Sequence, residues 1–156
     1  RLVLLASTPR FLTGDDWHAG VAPADLDAFA ADLLADAPAT LLRFLALQTR
    51  GAPGQTALLA RLRDALAAAP AHAPQALADG LELLRTNDLR AAWRALTLPV
   101  LVIHGARDRL TPLPAGEWLA ANAYSARGHW LPAAAHAPGV SHAFEVAAVL
   151  RAFING

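Results

Sequence analysis

Two short apolar runs late in the chain constrain its fold most, because each breaks off onto a residue that can do chemistry. Val100-Leu-Val-Ile-His104 follows Pro99, stops at Gly105 and presents Asp108. His129-Trp-Leu131 is followed within a few residues by His136. A short, unbroken apolar run suits a strand covered on both faces, the His129–Leu131 run being the weaker signal, and such strands occur in parallel sheets with helices packed above and below. Leu2-Val-Leu-Leu-Ala6, closed by Ser7-Thr8-Pro9, is a third run of the same kind.

Between the first and second runs the pattern turns helical. Leu26, Phe29, Ala30, Leu33 and Leu34 fall on one stripe, with Pro23 suited to the first turn and Asp25 and Asp27 to the positive end of the helix dipole. Leu41 to Thr49 predicts a second helix after Pro38. Gly51-Ala-Pro-Gly54 predicts a break. Leu58, Leu59, Leu62 and Leu66 make a third stripe ended by Pro70, and Leu77, Leu81 and Leu84 a fourth after Pro74. Asp88 is a candidate cap for a short helix carrying Leu89, Trp93 and Leu96. Thr111 and Pro112 are candidate N-cap and first-turn residues for a helix through Ala121. Ser141 is a candidate cap for a last helix with Val146, Val149, Leu150 and Phe153 on its buried side.

The predicted order is strand, helical insert, helix, strand, helix, strand, helix. It implies an α/β chain with parallel strands and crossover helices. The insert is too long for a simple crossover and reads as a cap over the sheet edge where such folds place their sites. The division is a core of residues 1–12 and 88–156 and a helical cap or lid of residues 13–87.

Composition narrows the function classes. Of 156 residues, 55% are apolar and 17% charged, enough for a packed core. Thirteen basic residues balance thirteen acidic ones, which argues against nucleic-acid binding. There is no cysteine, so disulfides, thiolate zinc sites and a thiol nucleophile are excluded. That composition suits a cytoplasmic protein. No apolar run approaches a membrane span, and Arg1 to Pro9 is too short to be a signal peptide. The chain opens without Met on a strand-like run, so the expectation is a truncated sequence.

Asp108 and His136 lie on loops leaving neighbouring strands. A histidine acting as a general base needs a fixed tautomer, and a carboxylate bonded to one ring nitrogen supplies it. The plain alternative is a turn-capping aspartate and a surface histidine. His104 reads as a core or strand-end histidine, and His18, His72 and His129 belong to no motif. His136 and His142 are not at a metal-ligand spacing, so no metal and no cofactor is expected. Ser7, Ser125 and Ser141 are turn or cap candidates, because none sits in a glycine-flanked strand-to-helix elbow. Arg43, Arg50, Arg61 and Arg63 make either a solvated helix face or a place for an anionic partner. Trp17, near the cap entrance, is a candidate pocket wall or an ordinary packing tryptophan.

The order acid then histidine, after successive strands, resembles the end of an α/β-hydrolase, in which a nucleophile precedes both. No Gly-x-Ser-x-Gly occurs here, so the expected nucleophile and oxyanion donors lie upstream of Arg1. More specifically, Phe11 through Trp17, Arg43-Phe-Leu-Ala-Leu-Gln-Thr49, Gly80-Leu-Glu-Leu-Leu-Arg-Thr-Asn-Asp-Leu-Arg90, Gly105-Ala-Arg-Asp108, and Ala134-Ala-His-Ala-Pro138 with Ser141-His142 resemble the pimeloyl-[acyl-carrier protein] methyl ester carboxylesterases of biotin synthesis. The resemblance covers essentially the whole chain. It implies the C-terminal part of a serine carboxylesterase, with Asp108 as triad acid and His136 as triad base. Phe44, Leu45, Ala46, Leu47 and Gln48 would line an acyl pocket, and Arg43 would meet an acidic acyl carrier protein or its phosphopantetheine. Another hydrolase of the same fold (a lactonase, a C–C hydrolase or a general esterase) and a non-catalytic carrier-binding module remain the alternatives. A first strand without its neighbour would expose an apolar edge and invite self-association.

Overall fold

The computed structural model describes residues 1–68 and 74–156. Pro70 and His72, to which the sequence reading assigned a helix end and a partnerless histidine, lie outside the described residues.

Three strands form one parallel sheet among the described residues: β1 (Leu2–Leu5), β2 (Val100–Gly105) and β3 (Ala126–Leu131), in the order β1-β2-β3. Leu2 pairs with Val100, and Val100 with Ala126, so all three strands run in step towards one edge. β2 is central and wholly buried. Its alternate residues go to opposite faces, as the two-residue strand period requires. Leu101 and Ile103 pack with Leu131, Ala134 and Val146, while Val100 and Val102 pack with Trp93 and Leu119.

The first of those faces is covered by α8 (Ala143–Asn155), through Val146, Val149, Leu150 and Phe153. This is the stripe expected from the sequence. The second face is covered by α5 (Arg90–Arg94) and α6 (Leu113–Ala121). The buried Trp93 indole N–H donates to the Leu119 carbonyl at 2.9 Å and ties those two helices together. A short α7 (Pro138–Ser141) precedes α8.

The segment between β1 and α5 carries α1 (Pro23–Ala35), α2 (Ala37–Thr49), α3 (Gln55–Ala68) and α4 (Pro74–Thr86). Pro23 opens α1 with Asp25 in its first turn, and the Asp36 carboxylate caps α2 by accepting the Ala39 N–H at 3.1 Å. The two ends of the segment meet. Arg10 and Asp88 form an antiparallel bridge, and Leu89 N–H donates to the Pro9 carbonyl at 2.9 Å.

Several local expectations are corrected. Thr111 does not cap α6, whose N-cap is Pro112, because its hydroxyl is engaged elsewhere. Ser141 ends α7 instead of capping α8, whose N-cap is His142. Asp88 lies one residue before the α5 N-cap, Leu89, yet still accepts the Arg90 N–H at 3.1 Å. Leu34, placed on the buried stripe of α1, is 87% exposed. It borders a groove with Ala30 of α1, Ala37 of α2, and Leu77 and Leu81 of α4.

An ion network sits where the segment ends meet. Arg90 contacts Asp88 at 2.6 Å and Asp16 at 2.8 Å, and Arg10 contacts Asp16 at 3.0 Å. The Arg90 side-chain hydrogen bond, outweighing burial, lowers the Asp88 carboxyl to about 2. A depressed acid contributes stability above its unfolded value, near 3.8, and loses it as pH falls through its folded value. The thermal midpoint is therefore expected to fall more steeply between about pH 4 and pH 2 than in an Asp88→Asn variant. Equal slopes for the two proteins in that window would count against this ion pair. The pair is partly exposed, so the difference is small and shrinks with added salt.

Candidate active site

Asp108 and His136 come together at the C-terminal edge of the sheet. His136 Nδ1 lies 2.8 Å from Asp108 Oδ2, and the Asp108 side chain is fully buried. This contact depends on Gly105. A Cβ there would overlap the carbonyl oxygens of Ala134 and Ala135, so only glycine lets the histidine loop cross the end of β2 this closely. The two loops are stitched by Ala106 N–H to the Leu131 carbonyl and Arg107 N–H to the Ala134 carbonyl, each 2.9 Å.

The carboxylate is saturated with donors. Oδ1 accepts the backbone N–H of Leu110 and of Thr111, each at 2.9 Å. Oδ2 accepts the Thr111 hydroxyl at 2.9 Å as well as the His136 ring. Burial pushes this carboxyl up, but hydrogen bonds from His104 and His136, the facing His136 ring and the Thr111 N–H outweigh it. Asp108 is held well below the usual carboxylate range.

His104, at the end of β2, is fully buried. Its Nε2 is 2.7 Å from the Thr111 carbonyl and 3.4 Å from Asp108 Oδ2. A carbonyl only accepts, so Nε2 carries the proton, given mainly to the Thr111 carbonyl and shared with Asp108 Oδ2. Its Nδ1 has no partner among the described residues and faces Gly116 of α6, where a Cβ would meet the ring.

With Nδ1 committed to Asp108, His136 Nε2 remains for chemistry. The ring borders a cavity of about 490 Å³. Its wall is apolar: Leu26 and Phe29 from α1, Phe44 and Leu47 from α2, and Leu84 from α4. Phe29 and Phe44 pack with their ring centroids 5.3 Å apart. Ser7, Thr8, Asp25, Thr111 and His136 supply its polar groups. An apolar chamber with a few polar groups gathered near one imidazole suits a chain-like apolar ligand with a reactive polar end.

The candidate residues divide. Phe44 and Leu47 line this cavity with His136; Leu45, Ala46 and Gln48 are half-buried on α2 and do not. The Gln48 backbone nevertheless touches the site, because its carbonyl accepts the His136 N–H at 3.1 Å. Arg43 is exposed and pairs with Asp32 at 2.9 Å, also reaching the Thr40 hydroxyl. Trp17 is not in the cavity wall. It is buried against Trp118 of α6, ring centroids 5.7 Å apart, with its N–H on the Arg10 carbonyl and Arg90 over its ring. His129, without a partner in the sequence reading, lies 3.3 Å from Glu145 on the surface. Thr111 and His104 are site residues that sequence reasoning missed.

The comparisons with known proteins agree with this architecture. An esterase from Exiguobacterium antarcticum superimposes with a TM-score of 0.83 at 20% identity, over 99% of this chain and 56% of that one. A bromoperoxidase from Bacillus anthracis gives 0.84 at 20% identity, over 99% and 57%. The chain has the α/β-hydrolase fold. No protein-family model matches it. In sequence it is 41% identical over 155 residues to a protein of Stenotrophomonas maltophilia (strain R551-3) named pimeloyl-[acyl-carrier protein] methyl ester esterase. That match takes in 99% of this chain and 60% of the relative, so the chain spans about 60% of the relative's length. The two superimposed structures carry different activities in their names, so the shared fold does not choose the reaction.

Proposed function

We propose that this chain supplies the acid, the base and the acyl pocket of a serine carboxylesterase acting on the methyl ester of an acyl-carrier-bound pimeloyl-type chain, a reaction of biotin synthesis in the cytoplasm. The observation that carries the reading is the Asp108–His136 pair, 2.8 Å apart, at the wall of an apolar cavity. The 41% identity to a relative of that name supports the choice of substrate. Residues 13–87 act as the cap, and residues 1–12 and 88–156 as the core.

In this reading a serine Oγ outside the chain attacks the ester carbonyl carbon while His136 Nε2 takes its proton. The proton passes to the methoxide oxygen as the C–O bond breaks, and methanol leaves. Water then adds to the acyl carbon, giving a proton to the same nitrogen, which returns it to the serine oxygen as the acid departs. Asp108 holds the tautomer and stabilises the imidazolium. Phe44 and Leu47, with Phe29 and Leu26, take the acyl methylenes. Each methylene they bury contributes about 0.8 kcal/mol. Arg43 stands on the exposed side of α2, where it can meet an acidic carrier protein.

The complete protein is expected to hydrolyse carrier-bound pimeloyl methyl ester with a kcat/KM at least about tenfold above that for a simple lactone or a C–C hydrolase substrate. A preference for either of the latter would sink the substrate assignment. The 156-residue chain by itself carries no Gly-x-Ser-x-Gly and should release methanol at the background rate. It also presents the free edge of β1, so light scattering of the isolated chain should show association. Rapid turnover by that chain, abolished by His136→Ala, would contradict the division of labour.

A further inference from the structure

Among the described residues, Thr111 is the one whose side chain hydrogen-bonds with both members of the acid–histidine pair and also with the end of the first strand. Its buried hydroxyl lies 2.9 Å from Asp108 Oδ2, 3.3 Å from His136 Nδ1 and 3.2 Å from the Ala6 carbonyl. Ala6 has φ of 48°, in the left-handed region that a non-glycine residue adopts at a cost of about 1 kcal/mol or more. That turn brings its carbonyl to the hydroxyl, while its N–H stays on the Ile103 carbonyl at 2.9 Å. On the other side, the buried His104 ring holds the Thr111 backbone carbonyl at 2.7 Å. Thr111 is thus fixed at its main chain by β2 and at its side chain by β1. A residue needed only to start α6 requires neither restraint, and it does not cap that helix.

We propose that Thr111 is a positioning residue for the base: its hydroxyl sets the direction and basicity of the Asp108 oxygen that receives the His136 Nδ1 proton. The inference rests on the pair serving as acid and base, but not on the identity of the ester.

A hydroxyl has one proton to give and two lone pairs. Asp108 Oδ2, charged and nearer, is the better acceptor than the Ala6 carbonyl, so the proton points mainly to the carboxylate. The hydroxyl oxygen then lies beside the His136 Nδ1 proton and limits the sideways swing of the ring. Donation to Oδ2 also draws charge from that oxygen. Without it the carboxylate carries more charge and is free to turn away from the His136 ring. The ionisable groups facing this junction are Asp108 on the loop after β2, His104 at the β2 end and His136 on the loop after β3. Asp25 of α1 borders the same cavity.

Thr111→Val keeps the shape and removes the hydroxyl; Thr111→Ser keeps the hydroxyl. In the complete protein, Val should lower kcat about tenfold with KM within about twofold. Ser should restore kcat to within about twofold of the unsubstituted protein. A Val variant matching the unsubstituted protein in kcat, one whose loss lies in KM instead, or a Ser variant as impaired as Val, overturns the proposal. Should Val fail to fold, the unsubstituted protein decides. Its Thr111 hydroxyl proton should exchange slowly and show a nuclear Overhauser contact to the His136 Nδ1 proton, whereas a freely exchanging hydroxyl overturns the idea. If the unsubstituted protein turns over no ester, the esterase reading fails by itself and the NMR measurements still judge Thr111.

Discussion

Asp108→Asn in the complete protein is expected to lower kcat by about 10³–10⁴-fold with little change in KM. The local hydrogen bonds dictate how the amide must sit. Leu110 and Thr111 N–H both point at Oδ1, so the amide oxygen takes that place and the NH₂ group takes the place of Oδ2. His136 Nδ1 then meets a donor where it had an acceptor 2.8 Å away. The ring switches tautomer, its Nε2 carries the proton, and it can no longer accept one from a serine. His136→Ala should cost as much, and the double variant little more, because the two act as a unit. A variant with Asn at this position that retains more than a tenth of the activity would show that the pair is not the acid–base machinery. Circular dichroism and a melting curve, expected to change little, separate this outcome from misfolding.

The second large effect belongs to a residue with no side chain. Gly105→Ala forces a Cβ against the carbonyl oxygens of Ala134 and Ala135, which are backbone and cannot swing aside. The Ala134 carbonyl also receives the Arg107 N–H, so moving it breaks a bond between the two loops. The expected loss of stability is about 3 kcal/mol. Activity should fall further than stability explains, since the same displacement separates His136 from Asp108. A denaturant midpoint within error of the unsubstituted protein would mean that the loops give way freely, against the tight crossing described here.

Much of the fold was legible because its strongest signals are local. The apolar run Val100–His104, broken by Gly105, announces a buried strand, and the stripe Val146, Val149, Leu150 and Phe153 announces the helix that covers it. Asp108 and His136 were legible through their order after successive strands, since a parallel sheet brings such loops to one edge. Thr111 was read as a helix cap because Thr-Pro before an apolar helix has that local meaning, and only the crossing of the loops from β2 and β3 gives its hydroxyl a better partner. Trp17 shows the same limit. Its indole is drawn to Trp118, 101 positions away, and to the Arg90 network, neither of which periodicity can report. Leu34 was misplaced because a helical stripe names a face without saying how far the neighbouring helix extends along it.

The bond from the His136 N–H to the Gln48 carbonyl joins the last turn of α2 to the residue proposed as base. The same helix contributes Phe44 and Leu47 to the chamber wall. Widening the chamber for a bulkier guest by tilting α2 therefore pulls on the imidazole's anchor. Room for the guest and aim of the ring are mechanically joined, and engineering that enlarges one without disturbing the other has to trim Phe44 or Leu47 and leave the helix axis where it is.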